Sequence, residues 1–365
     1  MSSKEEKELK EAVSLLQKLI SVPSLSNEED KAADIWENWL KEKGVGNVRR
    51  FHNNVYALSE HFDPSKPIVL LNSHMDTVKP VSSWTRDPFS PAIENGKLYG
   101  LGSNDAGASG VSLAMTFLKF KDRTDLQFNL LFAITASEER MGEFGMQAFL
   151  PHLKSEGLYP SMAIVGEPTE CEAAIAERGL VVCDALVRGK SGHAARNEGV
   201  NALYLAIEDI EKLRNIEWGK VSDILGPIKV SVTMIECGTQ HNVVPDKCTY
   251  VMDIRTTDAF SNEETVKILQ DITSHSELKA RSYRIQASVL PSSEPLFKAA
   301  EKTGLPRYVS PTTSDMAQMH DIPSIKIGPG KSERSHSADE FILIDEIRQG
   351  ITTYELFLNN LNLTT

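Results

Sequence analysis

His74 closes the apolar run Ile68-Val69-Leu70-Leu71, within the stretch NSHMDTV, and Asp76 follows two residues later. A histidine there is either a polar strand end or a metal ligand held by its own orienting carboxylate. The rest of the chain decides between the two. Asp105 lies in GLGSNDAGASG, Glu138 and Glu139 in TASEER, Glu167 in VGEPT and His336 in ERSHSADE. LFAIT runs straight into the two glutamates and AIV into Glu167. Acids at the ends of buried strands are costly unless paired or bound to a cation. Two imidazoles and three carboxylates make a ligand set for two zinc-like ions, which accept N and O donors. Asp76 would then hydrogen-bond the second nitrogen of His74 and fix its tautomer. One glutamate of the 138–139 pair would remain free as a general base.

The elements that must position these groups alternate. The spacing predicts an opening amphipathic helix with Leu9, Ala12, Val13, Leu16 and Leu19 on one face. Ile68–Leu71 reads as a strand, 107–120 as a helix, and Phe128–Thr135 and Met162–Val165 as strands. This pattern implies an α/β fold with a mixed, mostly parallel sheet flanked by helices. His74, Glu138, Glu139 and Glu167 then fall at carboxyl ends of strands, where such sheets collect function. From 178 to 287 the rhythm changes. Strands are expected at 180–187, 228–235, 249–255 and 283–289, and helices at 202–213 and 263–272. That β-α-β-β-α-β order describes a ferredoxin-like unit of about 110 residues. The expected division is a metal-binding domain of residues 1–177 and 288–365, with 178–287 inserted.

Composition narrows the partners. The 365 residues suit two domains, and 41% hydrophobic and 25% charged residues describe an ordinary soluble protein. A net charge of −12 argues against a nucleic-acid binder. The N-terminal segment lacks the apolar core of a signal peptide, and no stretch reaches the roughly 20 apolar residues that span a bilayer. Cys171, Cys183, Cys237 and Cys248 show no C-x-x-C pairing and read as reduced thiols in a cytoplasm. A nucleotide-binding role is disfavoured, since no G-x-x-x-x-G-K-[ST] loop occurs and GLGSNDAG carries an acid instead.

SHMDTV, GLGSNDAGASG, TASEE, GEPT, GKSGHAA, NVVPD, MDIRTT and SHSADEF occur in an order that resembles one family. It is the dinuclear-zinc family of acetylornithine deacetylase, succinyl-diaminopimelate desuccinylase, aminoacylases and related peptidases. The resemblance covers nearly the whole chain. It implies that Asp105 bridges two ions, with His74 and Glu167 completing one site and Glu139 and His336 the other. Glu138 becomes the general base, and the ions are zinc, with cobalt as the alternative. The family's inserted dimerisation domain corresponds to 178–287, so a homodimer is implied. His193 corresponds to the histidine that reaches the neighbouring subunit's site and stabilises the oxyanion. Asn242 and Arg255 match substrate-holding positions, Arg255 through an α-carboxylate. Two departures stand out. Asp105-Ala106-Gly107 lacks the lysine often found after the bridging aspartate, and GHAARNEG lacks the usual proline.

The substrate expected from this resemblance is an N-acyl-L-ornithine, acetyl or succinyl, cleaved in arginine biosynthesis. Succinyl-diaminopimelate desuccinylase is the alternative, followed by a dipeptidase or aminoacylase, and last by a non-catalytic metal-binding scaffold. Arg178 could pair bidentately with a succinyl carboxylate, or serve only as a hinge or surface arginine.

Overall fold

The computed structural model describes residues 3–196 and 198–363. The chain folds as two compact units. One comprises Met1–Ile175, Leu290–Tyr308 and Ser314–Thr365, the other Ala176–Val289 and Val309–Thr313.

Helix α1 (Ser3–Ile20) buries Leu9, Ala12, Val13, Leu16 and Ile20, a stripe at helical spacing. Helix α2 (Asp30–Glu42) does the same with Ala32, Ala33, Trp36, Trp39 and Leu40. The hairpin β1 (Val48–Phe51) and β2 (Asn54–Leu58) leads into β3 (Ile68–His74), of which all seven residues are buried. Short strands β4 (Ala92–Glu94) and β5 (Lys97–Tyr99) follow, then α3 (Ala108–Phe120), β6 (Asn129–Thr135), α4 (Met146–Ser155) and β7 (Met162–Val165). Every residue of β6 and β7 is buried as well. Continuous apolar strands of this kind need cover on both faces. On one face Trp36 and Phe117 pack on Phe132, at ring distances of 5.9 and 5.6 Å. On the other, Phe149 and Met146 of α4 join Leu70 and Leu131.

Strand β8 (Ala173–Glu177) carries the chain into the second unit. There follow β9 (Gly179–Arg188), β10 (Gly192–His193), α5 (Ala202–Arg214), β11 (Lys229–Cys237), β12 (Val243–Val244), β13 (Lys247–Thr256), α6 (Asn262–Ile272), β14 (Ser276–Ala280) and β15 (Ser288–Val289). The sheet order β11-β13-β9-β14 is wholly antiparallel. Strict alternation of burial along β9 and β13 marks one face packed on helices. The fourth strand of this sheet is Ser276–Ala280, rather than the 283–289 segment expected from hydrophobicity. The buried Asp209 carboxylate of α5 accepts the backbone N–H groups of Ser274, His275 and Ser276 at 2.8–2.9 Å and fixes where that strand begins.

The returning chain adds α7 (Pro295–Thr303), β16 (Arg307–Ser310), β17 (Ser324–Lys326), β18 (Phe341–Leu343) and α8 (Ile344–Asn360). The large sheet runs β1-β2-β6-β3-β7-β17-β8-β15, with β16 also paired to β8. Its centre is parallel (β6-β3-β7-β17) and its flanks antiparallel. The α/β architecture with a separate, smaller antiparallel sheet is therefore as expected. Among the described residues no helix is long and apolar enough to cross a membrane.

Candidate metal centre

Three parallel strands deliver the chemistry. β3 ends on His74, β6 runs through Thr135 into Glu138 and Glu139, and β7 runs into Glu167. Asp105 projects from an irregular turn at 103–107, and His336 from the loop before β18. His74, Asp105 and Glu167 form one group of ligand atoms and Asp105, Glu139 and His336 a second, each within 4.8 Å. Asp105 belongs to both: its Oδ1 lies 3.3 Å from His74 Nε2 and its Oδ2 lies 3.7 Å from His336 Nε2. Glu167 Oε1 is 3.7 Å from His74 Nε2, and Glu139 Oε2 is 2.9 Å from His336 Nε2. Glu138 stands beside these groups, buried to 7% exposure, and no hydrogen bond reaches its carboxylate oxygens among the described residues.

Asp76 has a wider task than the sequence suggested. His74 Nδ1 is 2.9 Å from the Asp76 backbone carbonyl and 3.5 Å from its Oδ1. The same carboxylate accepts the backbone N–H groups of Glu138 (2.9 Å) and Glu139 (3.2 Å) and the Ser26 hydroxyl (2.6 Å). It thus orients the two-glutamate turn as well as the imidazole. Three further buried acids escaped the sequence reading. Glu340 accepts the N–H groups of Gly102, Asn104 and Asp105 at 2.7–3.1 Å, clamping the turn that carries Asp105. Glu29 accepts the Ser137 N–H and hydroxyl, both at 3.1 Å, and holds Ser137 at φ 56° just before Glu138. Asp315 accepts from Asn72 and Thr135 near the ends of β3 and β6, both at 2.9 Å. Glu340 lies in the motif SHSADEF and Asp315 in TSD, but nothing in either stretch names a partner.

The electrostatics test whether cations fit. Burial pushes Glu167 up to about 8; His74 opposes the shift, and the Asp105 and Glu139 charges add to it. Burial also holds Glu138 well above the carboxylate range, with Glu167, Asp315 and Glu139 pushing the same way. Burial opposes a charge on His74, yet Glu167, Asp105, Asp76 and Glu138 outweigh it and hold the imidazole well above its ordinary value. The hydrogen bond to Glu139 takes His336 up to about 9. Protons thus take up charge that crowded carboxylates would otherwise carry. Divalent ions would neutralise the same cluster through N and O donors of borderline hardness. The residues fit two such ions.

The second unit holds the remaining candidates. His193 is exposed on β10, where Nδ1 accepts the Ala195 N–H at 3.1 Å. Antiparallel pairing of β10 with β12, and the Ala194 N–H on the Asn242 carbonyl at 3.0 Å, bring His193 and Asn242 to one hairpin edge. Arg255 commits Nε and one Nη to Asp253, at 2.8 and 3.1 Å. Arg178 donates to the Pro227 carbonyl at 2.9 Å and to that of Leu225, so its guanidinium latches a loop of its own unit.

The sequence pattern of peptidase family M20/M25/M40 matches residues 70–360, well over half of the chain. The chain belongs to this family. Among M20 relatives, succinyl-diaminopimelate desuccinylase of Wolbachia pipientis wMel is 27% identical over 95% of this chain and 92% of its own. The enzyme of the same name from Wolinella succinogenes is 27% identical over 89% of this chain and 88% of its own. Aminopeptidase PepT from Bacillus cereus superposes with a TM-score of 0.76 at 20% identity, over 97% of this chain and 98% of that one. At that identity the superposition speaks to the fold alone. The M20 chain with its doubled donor group is a metal-dependent amide hydrolase.

Proposed function

We propose that the chain hydrolyses an N-succinyl amide of a diamino acid, the reaction for which the two relatives above are named. Cleavage of an N-acyl-L-ornithine is the second reading, supported by the motifs GEPT and IKIGPG. What carries the chemistry is the unbonded Glu138 carboxylate beside two donor groups that share Asp105.

His74 and Glu167 would hold one ion, Glu139 and His336 the other, and Asp105 both. Bound there, zinc or cobalt ions would supply Lewis acidity that lowers the pKa of a shared water and polarises the amide carbonyl. Glu138 would take the attacking water's proton on a carboxylate oxygen and deliver it to the departing amine nitrogen. Asp76 would keep the turn bearing Glu138 in register with His74. His193, whose Nδ1 accepts a backbone N–H, keeps Nε2 as its donor and would aim that N–H at the oxyanion as a hydrogen bond. Asn242 and Arg255 would hold the polar ends of the substrate. Arg178, latched to carbonyls, is assigned a structural place rather than the succinyl carboxylate.

Self-association would follow from the edge strand β11, where Met234 is 65% and Ile235 51% exposed, and from Tyr204 of α5 at 65%. Bare apolar edges invite strand addition. A dimer by sedimentation that Ile235→Lys converts to monomer is the expected result; an unchanged sedimentation coefficient would remove β11 from the interface.

The deciding assay measures primary-amine release from N-succinyl-diaminopimelate, N-succinyl-L-ornithine, N-acetyl-L-ornithine and a dipeptide. Preference for succinyl-diaminopimelate is expected, with Glu138→Ala slower by roughly 10²–10⁴-fold at unchanged metal content. Equal turnover in the variant would sink the role of Glu138. Preference for an acyl-ornithine would return the second reading to first place.

A further inference from the structure

Two of the four cysteines face each other across neighbouring strands. In the register of β11 on β13, Cys237 pairs directly with Cys248. Directly opposed residues of an antiparallel pair hold their Cα atoms about 4.5–5.5 Å apart with side chains on one face. That separation falls within the range a disulfide bridges. Cys183 faces Met252 in the same sheet and Cys171 lies in the other unit, so neither competes for this geometry. Both thiols are free, with Cys248 buried and Cys237 half-buried.

The surroundings supply an approach. Cys237 lines a cavity of about 300 Å³ together with Glu236, Gly238, Val243, Pro245 and Lys247. A small oxidant entering there meets Cys237 first. Burial first, and Cys237 as neighbour, take the Cys248 thiol up to about 12.

We propose that Cys237 and Cys248 form a reversible redox pair, oxidised by hydroperoxides, that staples the base of the hairpin carrying Asn242. In the first step a hydroperoxide transfers one oxygen to the Cys237 sulfur, giving the sulfenic acid and an alcohol or water. In the second the Cys248 sulfur displaces that hydroxyl; its proton leaves with the hydroxyl as water, and the S–S bond forms. A dithiol reduces the link by thiol–disulfide exchange, returning both thiols while it is itself oxidised to its disulfide. The link closes residues 238–247, which include β12, the strand that pairs with His193 on β10. Any effect on turnover rests on the roles proposed above for Asn242 and His193; the crosslink itself does not.

The test exposes the metal-loaded, full-length protein to hydrogen peroxide, alkylates it after denaturation, and maps the peptides. A linked Cys237–Cys248 peptide, lighter by two hydrogens and cleaved by dithiothreitol, is expected, with Cys171 and Cys183 still alkylated. Cys237→Ser should abolish the link, and Cys248→Ala serves if that variant fails to fold. Amides at 238–247 should exchange about tenfold more slowly in the oxidised form. Terminal oxidation of Cys237 without a link, or a link between two copies, would overturn the pair. A link that leaves exchange unchanged would overturn the staple.

Discussion

Glu138 and Glu139 are adjacent, yet the turn gives their carboxylates different neighbours: Glu139 meets His336, whereas no hydrogen bond reaches that of Glu138 among the described residues. Asp76 makes this division by accepting both of their backbone N–H groups, while Glu29 holds Ser137 in the left-handed region beside them. Such a conformation is costly for non-glycine residues, which adopt it where the surroundings impose it. The charge on these acids makes the metal-free chain sensitive to pH. Glu167 and Glu340, raised from 4.5 to about 8, keep protons in the folded state that the unfolded chain releases. Stability from such a group is fully present below its unfolded value and is lost as pH rises through the folded one. His336, raised from 6.5 to about 9, adds the same sign over a higher window. The stripped protein should therefore melt highest near pH 5 and lose about 5 °C or more by pH 9. Metal loading, which replaces those protons, should flatten the curve. Thermal melts of both forms across this range check the sign, and a stripped-protein Tm that climbs with pH would contradict it.

At the scale of elements, the second unit depends on one buried carboxylate. Asp209 accepts three backbone N–H groups and the Ser276 hydroxyl, and so ties α5 to the start of β14. Asp209→Ala leaves the buried Ser276 donors unpaired and frees those of Ser274 and His275, a loss of about 2–4 kcal/mol. Urea denaturation followed by Trp218, which packs on Phe260 in that unit, should show the earlier transition. Asp209→Asn should fall between variant and parent. This element also marks where reading the sequence failed. SELKA offers one large apolar residue, Leu278, so its alternation is faint, whereas 283–289 looked more strand-like. The decisive anchor sits 65–67 residues upstream, beyond any local pattern. The strands β3, β6 and β7 were legible because burial on both faces leaves a continuous apolar run, and the proposed ligands at their ends were legible because they interrupt it. Their supports were not. Glu340 reaches Asp105 across 235 residues and Asp315 reaches Asn72 across 243. Such pairs have no signature until the chain is folded.

For the whole molecule, all five proposed ligands lie in the unit that holds both chain ends. Ions that bind only the folded form stabilise what they touch by mass action. Chelation should raise amide exchange at the ends of β3, β6 and β7 and through 102–107, while the β9 and β13 core keeps its protection. Hydrogen exchange with and without EDTA reads this directly, and equal loosening of both units would refute it. Burial patterns point the same way, since the two units keep separate apolar clusters. The chain first enters the second unit at Ala176 and leaves it at Val289, returning to it only for Val309–Thr313, and Ala176 and Val289 are direct partners in the β8–β15 pair. Paired strands lie about 4.8 Å apart, a gap that a two-residue turn can close. The 176–289 stretch thus begins and ends at one point, with only 309–313 of its unit lying outside it. Lineages could exchange or reshape it as a block, recombining at that seam, without redrawing the chain path that carries the ligands.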